Sequence, residues 1–286
     1  MNKHDIEYLN LCEKVLLFGE EHPDRTNTGV KSLFAEKLAF DMTSGFPILT
    51  TKKMYWRGIV SELLWFLSGS TNCNDLPEKV RHWWSPWADA NGDLGPIYGQ
   101  NLRRWKTTDL CSANPDLGLV NSNMYFKEVD QITELIENIK NNPHSRRHVI
   151  TTWNVAELSK MALPPCHGVA TQFYVHNDGG LSCFTFQRSA DVFIGLPVNI
   201  SSYSLLLSII AKLTNLTPKT LTISLGNAHI YSNHVEQVKE QLTRTPHPAP
   251  TLSIDESMND IDNLNIDMFK LENYVSHSAI KGEVAV

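Results

Sequence analysis

The chain has 286 residues, of which 42% are hydrophobic and 20% charged, a composition typical of a globular protein with a substantial core. Its formal net charge of −6 argues against nucleic acid as the main partner. The N-terminus lacks the apolar core of a signal peptide, and no segment is expected to span a membrane.

The N-terminal part of the chain combines one helix pattern with extended segments. Apolar residues at helical spacing predict a helix over residues 4–20, and the next segment, 22–29 (HPDRTNTG), has the composition of a loop. Residues 30–42 indicate one or two strands. Residues 45–53 (GFPILTTKK) indicate a buried extended segment.

A largely apolar helix is expected over residues 56–68, interrupted by Arg57 and Glu62. A charge within such a helix normally needs a partner or a purpose. Residues 81–105 are rich in Trp, Gly and Pro and predict an irregular functional loop, and the polar segment 106–127 predicts a surface excursion.

The C-terminal half alternates strand and helix patterns. Helices are predicted over residues 129–142, 202–215 and 233–244, and strands over 148–154, 171–176, 181–187 and 220–231. The turn sequence HNDGG predicts a hairpin between the second and third of these strands. Because no repeat or linker interrupts the pattern, we expect a single mixed α/β domain over residues 1–286.

The five cysteines, at positions 12, 73, 111, 166 and 183, are widely spaced and form no CxxC pair. Neither a disulfide framework nor a structural zinc site is expected from this pattern. It favours a reducing, cytoplasmic compartment, which would be the host cytoplasm for a phage-encoded protein.

Three arginine clusters are candidates for an anion site: Arg25, the pair Arg146 and Arg147, and Arg188 with Ser189. Guanidinium groups offer several planar donors that suit phosphate oxygens, and a serine hydroxyl adds another. Each cluster by itself is more typical of a solvated surface than of an anion site.

Cys166 is a candidate nucleophile because it follows two prolines and precedes His167. A thiolate is the attacking form of cysteine, and nearby cations such as Arg188 lower the pKa of a thiol. The pattern alone favours a packed thiol over a catalytic one.

Polar groups with directional hydrogen bonding follow in the chain. Asn199 carries a donor and an acceptor in one plane, as reading the edge of uracil requires, but a helix cap before residues 202–215 is an alternative. His229 and Tyr231 are two residues apart, hence on one face of a strand, where they could bind a sugar hydroxyl or form a half-buried polar edge.

Together these segments resemble the folate-dependent, cysteine-using thymidylate synthase family nearly end to end. The matching segments are DRTNTG, FPILTTKK, ELLWFLSGSTN, WADANGDLGPIYG, DQI, SRR, WNVAEL, MALPPCH, QFYV, LSC, QRSADVFIGLP, NISSY, HIYSNH and the ending IKGEVAV. The resemblance implies one catalytic domain with a large mixed sheet flanked by helices, assembled as a homodimer with sites shared across the interface.

The resemblance also implies a reaction and its residues. The substrate would be dUMP, the one-carbon donor would be 5,10-methylenetetrahydrofolate, and no metal is implied. The implied catalytic residues are Cys166, Glu62, Tyr98, Asn199 and Arg188. The implied dUMP-binding residues are Arg25, Arg146, Arg147, His167, Gln187, Arg188, Ser189, Asp191, Asn199, His229 and Tyr231, with Arg146 and Arg147 supplied by the other subunit. On the folate side the resemblance implies Lys52, Trp84, Trp87, Asp191, Ile194, Gly195, Val198 and Val286.

In the implied mechanism, thiolate addition at C6 makes C5 of uracil nucleophilic enough to take the methylene carbon of folate. Negative charge then develops at O4 and needs donors placed in advance. A carboxyl group buried in the apolar helix around Glu62 is expected to have a raised pKa, suited to exchanging protons near neutrality.

The sequence departs from the family pattern mainly near the folate side. Ser85 and Pro86 follow Trp84 where Asp is usual, and Val198 stands where Phe is usual. The remaining departures are Phe186 for Tyr, Asn27 for a loop glycine, and four residues (168–171) where three are usual.

These departures leave two enzymatic readings and one of another class. We expect a thymidylate synthase that forms dTMP and dihydrofolate. A smaller Val198 and a polar Ser85 could instead admit water, as in the related phage hydroxymethylases, giving 5-hydroxymethyl-dUMP and tetrahydrofolate. An inactive nucleotide- or RNA-binding homologue is a third reading, which the intact set of candidate catalytic residues disfavours.

Overall fold

The computed structural model describes residues 2–24, 27–110 and 124–283, and its centre is a six-stranded sheet with helices packed against it. The helices are α1 (Lys3–Phe18), α2 (Trp56–Leu67), α3 (Glu78–Arg81), α4 (Tyr98–Arg103), α5 (Gln131–Asn141), α6 (Gly195–Leu213) and α7 (Val235–Leu242). The strands are β1 (Glu20–His22), β2 (Val30–Asp41), β3 (Trp105–Leu110), β4 (Met124–Val129), β5 (Val149–Ile150), β6 (Ala170–Val175), β7 (Gly180–Asp191), β8 (Thr217–Tyr231), β9 (Thr251–Ile254) and β10 (Phe269–Glu272).

The large sheet has the strand order β1-β2-β8-β7-β6-β5. Its neighbouring strands pair antiparallel, apart from β7 and β8, which are parallel and joined through α6. The parallel pair needs a crossover because a tight turn cannot return the chain to the same end of the sheet. The expected fold class, a large mixed sheet flanked by helices, is confirmed.

Helix α1 runs beside β2, whose outer edge is paired with β1 only over its first residues. The Ala39 amide donates to Glu7 of α1 over 3.1 Å, and Lys14 of α1 forms an ion pair with Glu36 over 2.7 Å. The helix thereby covers strand donors that would otherwise pair with another chain.

Helix α6 lies in the core. An 18-residue window of this helix has a mean hydropathy of 1.4, so by length and composition the helix is long and apolar enough to cross a membrane, which was not expected from the sequence. However, 83% of that window is buried inside the protein, as in the core helix of a soluble protein.

The pairing of residues in the sheet is interrupted at one level across three neighbouring strands, β2, β8 and β7. The assigned pairs on both sides of β8 skip Gly226, which lies between Ala35 of β2 and Arg188 of β7. A Cβ on Gly226 would lie 2.7 Å from the Arg188 carbonyl oxygen, so this close approach requires glycine. Beyond this level the side chain of Asn227 is exposed, although Leu225 before it is buried.

Several element predictions needed correction. Residues 81–105 contain α4, so they are not wholly irregular, and only two residues of the segment 148–154 form a strand. The segment 45–53 is largely buried as expected but pairs with no described strand. Asn199 lies inside α6, which begins four residues earlier, so the cap interpretation of Asn199 was wrong.

We predict that Ala35→Gly stabilises the protein. Ala35 has a φ of +64°, a left-handed conformation that costs a side chain about 1 kcal/mol or more, whereas glycine adopts it freely. After allowing for the greater chain entropy of unfolded glycine, the free energy of unfolding should rise by up to about 1 kcal/mol. Urea unfolding measures the change.

The matched control for this prediction is Ala39→Gly, at another exposed alanine of the same strand whose φ is not positive. This variant should lose about 0.5–1 kcal/mol. Equal destabilisation by both substitutions would show that the Ala35 backbone carries no strain.

Candidate active site

Cys166 lies in the loop before β6, and two prolines and an arginine hold it there. Because prolines lack an N–H, Pro164 and Pro165 offer only their carbonyl groups. Arg188 donates to both, from Nη2 to Pro164 over 2.9 Å and from Nε to Pro165 over 2.8 Å, and its guanidinium lies 5.3 Å from the Trp153 ring centre. Cys166 is half-buried beside this arginine.

The Tyr98 hydroxyl fixes the nucleophile candidate from the other side. It accepts a hydrogen bond from the Cys166 amide over 2.9 Å and lies 3.5 Å from Sγ of the same residue. Burial raises the pKa of the Cys166 thiol, and the hydrogen bond from Tyr98 and the charge of Arg188 oppose that rise. The site thus holds a thiol that keeps its proton until a reaction removes it.

Glu62 points from α2 into an aromatic pocket. Its Oε1 accepts a hydrogen bond from Nε1 of Trp84 over 2.7 Å, and burial raises the pKa of Glu62 to about 7 although that hydrogen bond opposes the rise. Trp84 in turn contacts Trp65, Phe66 and Tyr98, with ring centres 5.4–6.0 Å apart. Trp84 thus contacts both Glu62 and Tyr98, the residue that holds Cys166, so the carboxyl and the thiol belong to one site.

His167 does not hydrogen-bond the sulfur but stacks on the ring of Tyr98, with centres 4.5 Å apart and an interplanar angle of 21°. Its Nδ1 lies 2.9 Å from the Tyr203 hydroxyl. Burial lowers the pKa of His167 to about 3, so the imidazole is neutral.

Asn199 is buried, and its side-chain amide makes no hydrogen bond to any described residue. Its donor and acceptor are therefore available to a ligand. At the end of β8, the rings of His229 and Tyr231 contact each other at 5.1 Å, as their spacing predicted, and Nδ1 of His229 lies 2.9 Å from Oδ1 of Asn227.

The turn before α6 engages two residues of the expected folate side. The Asp191 carboxylate accepts the amides of Phe193 and Ile194 over 2.9 and 3.1 Å. Lys52 donates to the Phe193 carbonyl and lies 3.8 Å from the centre of its ring. Burial lowers the pKa of Lys52 to about 8, although the nearby Cys12 and Asp191 act in the opposite direction and raise it. The side chains of Asp191 and Lys52 thus hold the backbone of this turn.

The remaining residues of the expected folate side differ in burial. Trp84 is buried, whereas Trp87, Ile194, Gly195 and Val198 are half-buried. The rings of Trp84 and Trp87 contact each other at 6.5 Å in an edge-to-face arrangement. Ser85 is exposed.

Other expected substrate residues are placed unevenly. Gln187 is buried, with an Oε1 that has no partner in the described parts of the chain, and Ser189 is half-buried. Arg146 and Arg147 are exposed just before β5, and their guanidinium groups bond to none of the described residues. Arg25 and Val286 lie outside the described residues.

Two contacts that define the site were not predicted from the sequence. Trp153 lies under the Arg188 guanidinium, and Tyr203 meets His167. Both residues stand in matched segments, WNVAEL and NISSY, but nothing in the spacing links either to Cys166. Only the fold brings these distant segments together.

No group of three or more metal-ligating side chains occurs within residues 2–24, 27–110 and 124–283. A scan against protein-family models finds one described as thymidylate synthase, which matches residues 6–286.

Trp84→Phe should raise the pKa of Glu62 above its present value of about 7. The indole N–H stabilises the charged carboxylate, and a hydrogen bond to a charged group contributes about 1.5 kcal/mol, equivalent to roughly one pH unit. The carboxyl band of Glu62 can be followed by infrared difference spectroscopy against pH, with Glu62→Gln identifying it.

Trp87→Phe is the matched control, because the Trp87 indole makes no hydrogen bond to Glu62. The midpoint for Glu62 should stay near 7 in this variant. A midpoint that also stays near 7 in Trp84→Phe would show that the indole hydrogen bond does not set this pKa.

Proposed function

This chain belongs to the thymidylate synthase family, and from that premise we propose that it is the reductive methylase of the family, converting dUMP to dTMP. Membership supports a folate-dependent one-carbon transfer to C5 of dUMP. The observation that carries the assignment to this site is the half-buried Cys166, held by the Tyr98 hydroxyl in a loop whose two prolines accept hydrogen bonds from Arg188.

We assign covalent attack at C6 of uracil to Cys166. As sulfur adds to C6, the thiol loses its proton and electron density moves to C5 and O4. Arg188 favours the thiolate electrostatically. Since a guanidinium has five N–H donors and Arg188 uses two on the proline carbonyls, further donors remain for the substrate phosphate, together with Ser189 and Arg25.

We assign recognition of the nucleoside to side chains of α6 and of the end of β8. The amide of Asn199, which bonds to no described residue, can donate to one position of the uracil edge and accept from another. We assign the ribose to His229 and Tyr231. Glu62, with a pKa of about 7, can hold or release a proton at neutral pH, which suits proton movement at O4 and C5.

The folate side fits a flat aromatic co-substrate. Trp87, Ile194 and Val198 are half-buried, and Trp84 closes the wall towards Glu62. Methylenetetrahydrofolate supplies the one-carbon unit and, in the reductive branch, the hydride. The exposed position of Ser85 supports this branch, because a hydroxyl open to solvent does not hold a water molecule inside a closed site.

We also propose a homodimer that uses the outer face of the large sheet. Three apolar side chains on this face are exposed: Val149 by 47%, Tyr174 by 61% and Phe184 by 43%. They lie on the adjacent strands β5, β6 and β7. Such an apolar sheet face is typical of a protein–protein contact. Arg146 and Arg147 precede β5 at the same edge, and their guanidinium groups, which bond to none of the described residues, suit a phosphate bound in the partner subunit.

Incubation with dUMP labelled with tritium at C5 and methylenetetrahydrofolate should release tritium and yield dTMP with dihydrofolate, as shown by mass analysis and absorbance. Cys166→Ser should nearly abolish both signals while dUMP binding changes by less than about tenfold, because covalent attack is lost and the phosphate contacts remain. Cys73→Ala, which removes a buried thiol elsewhere, should remain active.

The products separate the alternatives. Mainly 5-hydroxymethyl-dUMP with tetrahydrofolate would overturn the reductive assignment and keep the one-carbon transfer. Binding of dUMP without any tritium release would indicate an inactive homologue.

The shared site is tested by subunit exchange. Chains carrying both Arg146→Ala and Arg147→Ala should be nearly inactive alone, as should Cys166→Ala chains. A mixed dimer contains one site with an intact cysteine and intact partner arginines. Random exchange of equal amounts should therefore restore about a quarter of the wild-type activity. If heterodimers form, as shown by mass spectrometry, without recovery, the arginines do not act across the interface.

A further inference from the structure

Tyr98 is the residue that holds Cys166, and its own position depends on the rings around it. The Tyr98 ring lies 4.7 Å from Phe66 and 4.5 Å from His167, measured between ring centres, and it is almost parallel to the imidazole. Any change in the orientation of His167 therefore acts on the support of the thiol.

His167 is itself oriented by one polar contact. Its Nδ1 lies 2.9 Å from the hydroxyl of Tyr203, a largely buried residue of α6. The neighbouring Gly168 has a φ of +62°, and a Cβ there would lie 2.3 Å from the Tyr203 hydroxyl. Because Gly168 has no side chain, the Tyr203 hydroxyl can occupy the space beside His167.

The other imidazole nitrogen is available to a ligand. Nε2 of His167 bonds to no residue of the described chain, and the half-buried ring adjoins the partly exposed Cys166. A neutral imidazole carries one proton, and the partner of one nitrogen decides which nitrogen holds it.

We propose that Tyr203 is a positioning residue: its hydroxyl donates to Nδ1 of His167, so that the imidazole proton stays on Nε2 and faces the substrate. Burial raises the pKa of the Tyr203 phenol and lowers the pKa of His167 to about 3, so both groups are neutral over the working range. With its proton on Nε2, His167 offers a donor beside Cys166, oriented before charge develops on the uracil carbonyl.

The effect on turnover depends on the proposed function, whereas the position of the proton does not. We therefore test the proton directly. Protein labelled with ¹⁵N-histidine shows which imidazole nitrogen of each of the 11 histidines carries the proton, and loss of signals in His167→Gln identifies His167. The wild-type protein should show the Nε2–H form, and Tyr203→Phe should show a mixture or the Nδ1–H form.

The matched control is Tyr8→Phe. Tyr8 is fully buried and donates its hydroxyl hydrogen bond elsewhere, to the Val192 carbonyl over 3.0 Å. This variant loses a comparable buried hydrogen bond, so a general loss of stability would appear in it too. Its His167 signals should match those of the wild type.

Turnover tests whether Tyr203 acts through His167. Tyr203→Phe should lower kcat about tenfold with KM for dUMP nearly unchanged, because the donor matters mainly as charge develops. In a His167→Gln background, Tyr203→Phe should have no further effect, since the imidazole it orients is gone.

An Nδ1–H form in the wild type, or an unchanged His167 signal in Tyr203→Phe, would overturn the proposal. Additive losses of turnover in the double variant would also contradict it, because Tyr203 would then act independently of His167. If the wild-type protein has no turnover at all, the proposed function fails and the nitrogen signals still decide the role of Tyr203.

Discussion

The Tyr98 hydroxyl is the point on which the site depends. A cysteine in a loop has no helix or strand to hold it, and here one phenol oxygen meets both the amide and the sulfur of Cys166. Tyr98 can do so because it begins the short helix α4 and its ring is packed against Phe66 and His167. The position of Cys166 therefore depends on the position of the Tyr98 ring.

Arg188 reaches the same loop from the level at which the pairing of the sheet is interrupted. The pairing of β8 is interrupted at Gly226, the Arg188 carbonyl lies against that glycine, and Ala35 has a left-handed conformation at the same level. A regular sheet would continue its alternation of core and surface side chains. The interruption instead lies at Arg188, whose side chain supports the loop of Cys166, so the left-handed conformation of Ala35 accompanies the geometry of the site.

Burial has opposite consequences for the titrating groups of the site. It raises the pKa values of the Cys166 thiol and the Glu62 carboxyl, and it lowers the pKa of His167. Near neutral pH the site thus contains a protonated thiol, a carboxyl close to half-protonated and a neutral imidazole. Such a site has little net charge except at Arg188, which suits an anionic nucleotide whose own charge accumulates during the reaction.

The sequence by itself determined the local features: helices from apolar spacing, the hairpin from its turn, and the raised pKa of a carboxyl in an apolar helix such as that of Glu62. Its long ordered resemblance also determined the family and the mixed-sheet fold class. The sequence could not place Asn199 within α6, or anticipate that Lys52 and Asp191 serve a turn, because those positions depend on where other segments pack. The contacts of Tyr98 with Cys166, of Arg188 with Trp153 and of Tyr203 with His167 join segments 35–68 residues apart. Only the tertiary structure decided these contacts, since no local sequence pattern encodes which distant side chains meet in the folded protein.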